Sequence, residues 1–393
     1  MNRSRAVERM LREAAPHEVF DVLRAFVQRH HHAVSVELLM ADYAMTELHP
    51  VSVLPHTSAP VPLHSGEAGR AFGAQEPRVA DNGSDSTVTV FVPVSVRGDR
   101  LGVLSVTLPS GEDRPDADLL GHLKEYADAL AHEIVVAQRD TDLFLQARRA
   151  ERLTLAAEMQ WQLLPARSCS RPEYSIGAQL EPAYSIFGDS FDWSASADDL
   201  ILTVSNGMGE GIEAALLTNL AVNALRNARR AGLDLVGQAS LADQAIYGRH
   251  QGHQYLSTLL LRFHLPTGNV EIIDAGSPRI WRLRADVVEA VELEPQMPLG
   301  MFEDTPYVPQ HFTVEPGDRL LFVSDGVYDA LSPEGEKYSL NALAKAVLST
   351  RALPASQVPR TMLEELLGHR GFGPAADDSL VVCLDWHGRP ARN

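Results

Sequence analysis

Four short segments in the C-terminal part of the chain constrain its fold more than anything else in the sequence. They are EPAYSIFGDSFDW (181–193), LILTVSNGMGEGIEAALL (200–217), DRLLFVSDGVYDAL (318–331) and PAADDSLVVCLDW (374–386). Each sets an Asp or Asn at a turn that enters or leaves an apolar run of strand length. One such Asp-Gly is ordinarily a turn and nothing more. Four of them in one region are less easily dismissed. Carboxylates gathered there cannot all stay ionised without a compensating positive charge. Oxygen ligands beside glycine suit Mg²⁺ or Mn²⁺. Two such ions would supply the missing charge and could also activate a water.

Charge agrees with this reading. The 393 residues carry 34 Lys and Arg against 52 Asp and Glu, a formal net charge of −18. Residues 171–393 hold 17 of the basic and 29 of the acidic side chains. A chain this acidic repels phosphate backbones, so nucleic acid is not an expected partner. The two cysteines, Cys169 and Cys383, make neither a disulfide framework nor a zinc site and point to a reducing cytosol. The N-terminus reads as no signal peptide, and no apolar run is long enough for a membrane span.

The N-terminal part is patterned differently. Val19, Leu23, Phe26 and Val27 have helical spacing, VSVELLMADY (34–43) reads as a strand, and TVTVFVPVSV and LGVLSVTL flank RGDR as a hairpin across a Gly-Asp turn. A helical pattern over 119–138 closes the unit. This order, with SGEAGRAF (65–72) and VPVSVRGDRLGVLSV (92–106), resembles a GAF domain. The resemblance implies a sensor of a small-molecule or protein signal over residues 1–140. No Cys or His there marks a bilin or haem attachment.

Helical patterning then runs nearly unbroken from Asp116 to Leu164, with Leu119, Leu123, Tyr126, Leu130, Ile134 and Ala137 in a heptad-like stripe. It reads either as two consecutive helices packing on their own domains or as a dimerising linker, centred on 141–165, that carries a signal. From residue 166 the pattern changes to short strands, Gly-rich turns and intervening helices.

The order of the C-terminal motifs, from AAEMQWQLLP (156–165) through the four segments, STLLLRFHLPTGNVEIIDAGSPRIW (257–281) and MPLGM (297–301), resembles the SpoIIE-type, RsbU-like branch of the metal-dependent protein serine/threonine phosphatases, the type 2C superfamily. The resemblance implies an α+β chain in which the GAF-like domain and helical linker lead into a four-layer αββα phosphatase domain over 166–393. It also implies a centre of two Mn²⁺ or Mg²⁺ ions. Asp189 matches the residue that bridges them. Asp325 and Asp377 match the ligands of one ion, and Asn206 with the Gly207 carbonyl matches those of the other. Asp192 matches a further acidic position, and Asp378 is an adjacent candidate. The implied substrate is a phosphoserine on a STAS-domain protein that antagonises an anti-sigma factor; the long helical stretch between the domains reads as the transmission element of a homodimer.

Asn206 departs from the family, which has Asp there. An Asn oxygen can still donate to a metal but brings no charge, so the second ion should bind more weakly. The alternative reading is a catalytically impaired phosphatase that keeps the fold and acts by signal-dependent binding. Phe187, Glu210, Ser277 and Ser324 also depart, and Glu210 is acidic enough to restore charge if it reached the site. The remaining features read as ordinary structure. His30, His31 and His32 end a helix and cannot all face one ion; His250 and His253 lie in a loop. The glycines 207, 209 and 211 lack the Lys-Ser/Thr of a nucleotide loop. Arg226, Arg229 and Arg230 read as solvated surface, or as a dock for an acidic or phosphorylated partner.

Overall fold

A computed structural model of the chain describes residues 3–51, 59–83, 87–109, 115–184, 188–276, 278–371 and 377–389, without the side chains of 339–341. Phe187 and Ser277, two of the departures named above, lie outside the described residues. The chain divides into two compact units between Arg152 and Leu153.

The first unit contains α1 (Arg3–Glu13), α2 (Val19–His31), β1 (Ser35–Ala41), β2 (Glu47–Pro50), β3 (Val61–Pro62), α3 (Gly66–Ala74), β4 (Arg78–Asp81), β5 (Thr87–Val96), β6 (Asp99–Pro109), α4 (Ala117–Ala137) and α5 (Leu143–Ala147). Its six strands form one sheet in the order β3-β2-β1-β6-β5-β4, antiparallel throughout. Alternation along β1 sorts the two faces. Leu38 and Met40 join α1, α2 and α4 in one core, and Leu39 and Ala41 join Phe72 of α3 in another. The β5–β6 hairpin turns through Arg97 and Gly98, at φ 53° and 91°. Two positive φ values are what a two-residue hairpin turn needs, so the turn sits one residue earlier than the expected Gly-Asp.

The nearly unbroken helical pattern does not form one continuous helix; it is divided into three. Asp116 caps α4 by accepting the Leu119 N–H at 2.8 Å, and the helix ends at Ala137. The stripe of Leu123, Tyr126, Leu130, Ile134 and Ala137 is buried in the core of its own unit, which leaves it nothing to offer a coiled coil. Phe144 of α5 is fully buried in the same core. A new cap, Thr154 accepting the Ala157 N–H at 3.2 Å, starts the next helix. The segment 141–165 is thus shared between the two units.

The second unit contains α6 (Leu155–Leu163), β7 (Ser168–Ser170), β8 (Tyr174–Glu181), β9 (Ser190–Ala195), β10 (Asp199–Asn206), α7 (Gly211–Arg230), α8 (Leu235–His250), β11 (Ser257–His264), β12 (Asn269–Ala275), β13 (Arg279–Arg284), β14 (Val287–Ala290), β15 (Gln310–Thr313), β16 (Arg319–Val323), α9 (Asp325–Tyr328), α10 (Tyr338–Ser349), α11 (Val358–Arg370) and β17 (Ser379–Trp386). Pro165 ends α6 by forcing Leu164 into extended backbone at ψ 143°. The strands make two antiparallel sheets, β15-β12-β11-β10-β9 and β14-β13-β16-β17-β8-β7. Helices α7 and α8 share a core with β11 and β12, and α9, α10 and α11 share one with β16 and β17. The rings of Phe263 on β11 and Trp386 on β17 stack at 6.0 Å and tie the sheets together.

Register places the four motifs. Ser190 pairs with Ser205, so Asp189 and Asn206 emerge at the same end of one sheet. Val323 pairs with Val381, so Asp325 and the Asp377-Asp378 pair emerge at one end of the other.

Candidate metal centre

These two ends meet. Asp378, fully buried at the mouth of β17, accepts the N–H groups of Gly188 at 2.8 Å and Asp189 at 3.0 Å through Oδ2. Asp189 Oδ1 accepts the Gly207 N–H at 3.0 Å. Such close crossings require glycine. A Cβ on Gly207 would lie 2.2 Å from the Gly188 carbonyl carbon, and one on Gly326 would lie 1.8 Å from the Asp378 oxygen. On the other sheet, Asp325 opens α9 and accepts the Gly326 N–H at 2.9 Å, while Asp377 accepts the Asp378 N–H at 2.8 Å. Ser324, also fully buried, accepts the Leu380 N–H at 2.9 Å and fixes the end of β16 against β17.

The carboxylates raise one another's proton affinity. Asp189 is held well above the usual carboxylate range, first by burial and then by the charge of Asp378, against the opposing pull of Ser324 and the Gly207 N–H. Burial also raises Asp325, with Asp329 adding to it and the Asn206 amide counteracting it by hydrogen bonding. Asp377 is raised by burial and by the charge of Asp325. Asn206 therefore stands against Asp325 as a neutral donor, where a carboxylate would repel.

The residues fit a divalent cation in three respects. The donors are all oxygen, as hard cations require. Asp189 Oδ2 is buried with no hydrogen-bond partner among the described residues, a costly state for a carboxylate. The neighbours that raise Asp189 are anionic, so a cation is the missing charge. Among the described residues no three Asp, Glu, His or Cys side chains are arranged to hold one ion. An ion here would therefore draw backbone carbonyls and water into its shell, as Mg²⁺ bound by one or two carboxylates does.

Asp192 does not join this group, contrary to expectation. On β9 it faces α7, where Arg226 holds its two oxygens at 2.8 and 3.2 Å and Arg229 adds a contact at 3.1 Å. Arg226 also donates to the Leu163 carbonyl at 2.7 Å, so one carboxylate joins β9, α7 and the end of α6. The same contacts correct the reading of these two arginines as solvated surface. Glu210 sits exposed at the N-cap position of α7.

Two residues near the centre carried no signal in the sequence reading. Gln160 of α6 is 1% exposed and donates its side-chain amide to the Asp189 carbonyl. A polar residue on the buried side of AAEMQWQLLP was the available clue. Arg370, the last residue of α11, borders a cleft of about 430 Å³ together with Asp325, Gly326, Asp329, Leu331 and Asp377. Another cavity, of about 330 Å³ and bordered by Asp199, Arg229, Asp234 and Arg262, includes none of Asp189, Asp325 and Asp377.

Residues 196–387 match the model of the family described as Stage II sporulation protein E (SpoIIE). That span begins just after Asp189 and includes Asn206, Asp325 and Asp377. Protein IcfG of Synechocystis sp. is 21% identical over 255 residues, which are 58% of this chain and 40% of that protein. Phosphoserine phosphatase RsbU of Bacillus subtilis is 20% identical over 242 residues, 61% of this chain and 71% of that one. The chain thus spans well under half the length of IcfG. Among solved structures, the PP2C phosphatase domain and a regulatory fragment of SpoIIE from Bacillus subtilis aligns with a TM-score of 0.49 at 19% identity, covering 56% of this chain and 65% of that one.

Proposed function

We propose that the SpoIIE-family domain formed by residues 196–387, completed by the preceding strand end at Asp189, works as a metal-dependent protein serine/threonine phosphatase. One observation carries the reading. Three strand-end carboxylates, Asp189, Asp325 and Asp377, converge where two sheets meet, each with its proton affinity raised by burial and by another carboxylate. The name of the RsbU relative, a phosphoserine phosphatase, agrees with it.

When bound, two Mn²⁺ or Mg²⁺ ions supply Lewis acidity and an activated water at neutral pH. The protein's own part is to hold the seats. Asp378 anchors the 188–189 backbone, and the Gly207 N–H orients Asp189. Asn206 gives one seat a neutral oxygen, so that ion is expected to bind more weakly. No side-chain nucleophile is called for, and no phosphoenzyme is expected.

The finer reading places the site in a four-layer αββα domain that acts on a phosphoserine of a STAS-domain anti-sigma-factor antagonist. The first unit, with its antiparallel sheet between helices, is assigned as a GAF-like sensor, and the working form as a cytoplasmic homodimer. Among the described residues no helix is long and apolar enough to cross a membrane. The test of the activity is hydrolysis of a chromogenic phosphomonoester with Mn²⁺ and with Mg²⁺. Wild type is expected to turn over, Asn206→Asp to need less metal, and Asp189→Ala to lose the metal-dependent rate. A silent wild type beside an active Asn206→Asp would instead point to the impaired, binding-only protein. Hydrolysis untouched in Asp189→Ala would place the centre elsewhere.

A further inference from the structure

The cleft beside Asp325 and Asp377 has one feature the metal seats do not use. Of the seven described residues that border it, three are acidic, Asp325, Asp329 and Asp377, and one is cationic, Arg370. Asp329 already pairs with Lys337 across an exposed contact at 2.5 Å. Arg370 is different. Its Nε is buried with no hydrogen-bond partner among the described residues.

The nearest intramolecular candidate already has other partners. The charge of Glu181 reaches Arg370, but Glu181 Oε1 accepts from Arg360 at 2.9 Å and from Gln179 at 3.1 Å. A half-buried guanidinium left with an unmade hydrogen bond costs free energy in the resting protein. Its planar fork matches the oxygens of a phosphate better than any other side chain does. Gly371, at φ 75°, ends α11 directly after it, so the residue sits at a fixed helix terminus.

We propose that Arg370 is the anion anchor of this cleft, a residue that grips the phosphoryl oxygens of a phosphomonoester beside the carboxylates of the metal seats. The proposal rests on the phosphatase reading for the identity of its ligand, but it concerns binding alone. Before metals occupy the seats, the three carboxylates repel a phosphate. Once their charge is offset, Arg370 is the cleft group that favours a dianion. Phosphate affinity should therefore rise with metal loading, through the carboxylates, and at full loading depend on Arg370.

The test uses the full chain with Mg²⁺ and inorganic phosphate as the probe, titrated calorimetrically, in wild type, Arg370→Lys and Arg370→Met. Loss of charged hydrogen bonds predicts a phosphate affinity roughly ten- to hundredfold weaker in Arg370→Met. Arg370→Lys, which keeps charge without the fork, should fall between. Mn²⁺ affinity should stay at the wild-type value and the melting temperature should not fall in either, which separates loss of an anchor from loss of fold. In hydrolysis of the chromogenic ester, KM should rise more than kcat falls. Phosphate bound equally by wild type and Arg370→Met, or by neither, overturns the proposal. Arg370-dependent phosphate binding by a protein that hydrolyses nothing would overturn the phosphatase reading and leave this one standing. Unimpaired hydrolysis with Arg370-independent phosphate binding would do the reverse.

Discussion

Asp189 and Asp192 are three residues apart at the start of one strand, and both are almost wholly buried, at 3% and 4% exposed. They meet opposite environments. Asp192 faces α7 and is held by two arginines, so its charge is balanced within the fold. Asp189 faces the seam between the sheets, where the charges acting on it are carboxylates and one oxygen has no hydrogen-bond partner among the described residues. The same side chain is a strut in one place and, on the reading proposed above, a cation seat in the other. Burial alone distinguishes nothing here; the sign of the neighbouring charge does.

That comparison can be broken most forcefully at the strut. Asp192→Ala strands Arg226 and Arg229 in a partly buried site, and removing one partner of such a pair costs about 3–5 kcal/mol. Thermal denaturation should show a large drop in melting temperature, while the Mn²⁺ affinity of the folded fraction stays near wild type. Weakened Mn²⁺ binding without loss of stability would return Asp192 to the metal centre.

Substitution of Asp189 has the opposite sign. Asp189→Asn replaces a buried carboxyl that can ionise only beside other carboxylates by a neutral group, and should stabilise the metal-free protein at neutral pH. The pH dependence follows from the raised native pKa of Asp189. A carboxyl whose pKa is raised on folding contributes stability in full below its unfolded pKa. That contribution is lost as pH rises through the native value. The advantage of Asp189→Asn should therefore shrink on acidification and vanish once wild-type Asp189 is protonated in both states. Melting curves of the two proteins across pH, in chelator, provide the check; an advantage that grows toward acid contradicts the assignment.

Much of this was legible in the sequence, for identifiable reasons. Asp189, Asp325 and Asp377 announced themselves because each follows or precedes an apolar run at a turn, and antiparallel pairing carries such ends together. The β5–β6 hairpin was legible for the same kind of reason, although its turn is Arg97-Gly98. What was not legible depended on partners far away in the chain. The role of Asp192 is decided by Arg226 and Arg229, more than thirty positions on, and nothing local to FDW signals them. The stripe on α4 looks the same whether a second helix or its own sheet covers it. Arg370 and Gln160 matter only because α11 and α6 deliver them to the centre.

The third effect is smaller. Asn206→Asp adds a negative charge beside Asp325, where the amide now donates a hydrogen bond. Metal-free protein should lose about 1 kcal/mol or more of stability, and Mn²⁺ affinity should rise by roughly tenfold, the scale of a 1.4 kcal/mol gain. Calorimetric titration reads both directions, and a variant that binds Mn²⁺ more weakly would show that the amide itself is the preferred ligand. Smallest of all is the surface pair Lys337–Asp329, whose removal by Lys337→Ala should change stability by less than about 1 kcal/mol, as a denaturant titration would show.

The central claim is that this fold sets a cation seat at Asp189 and a strut at Asp192. Anomalous scattering from a crystal grown with Mn²⁺ tests it most directly. The account predicts Mn²⁺ against Asp189 and against Asp325 with Asp377, and none at Asp192, which keeps both arginines. An ion on Asp192, or none at Asp189, would contradict it.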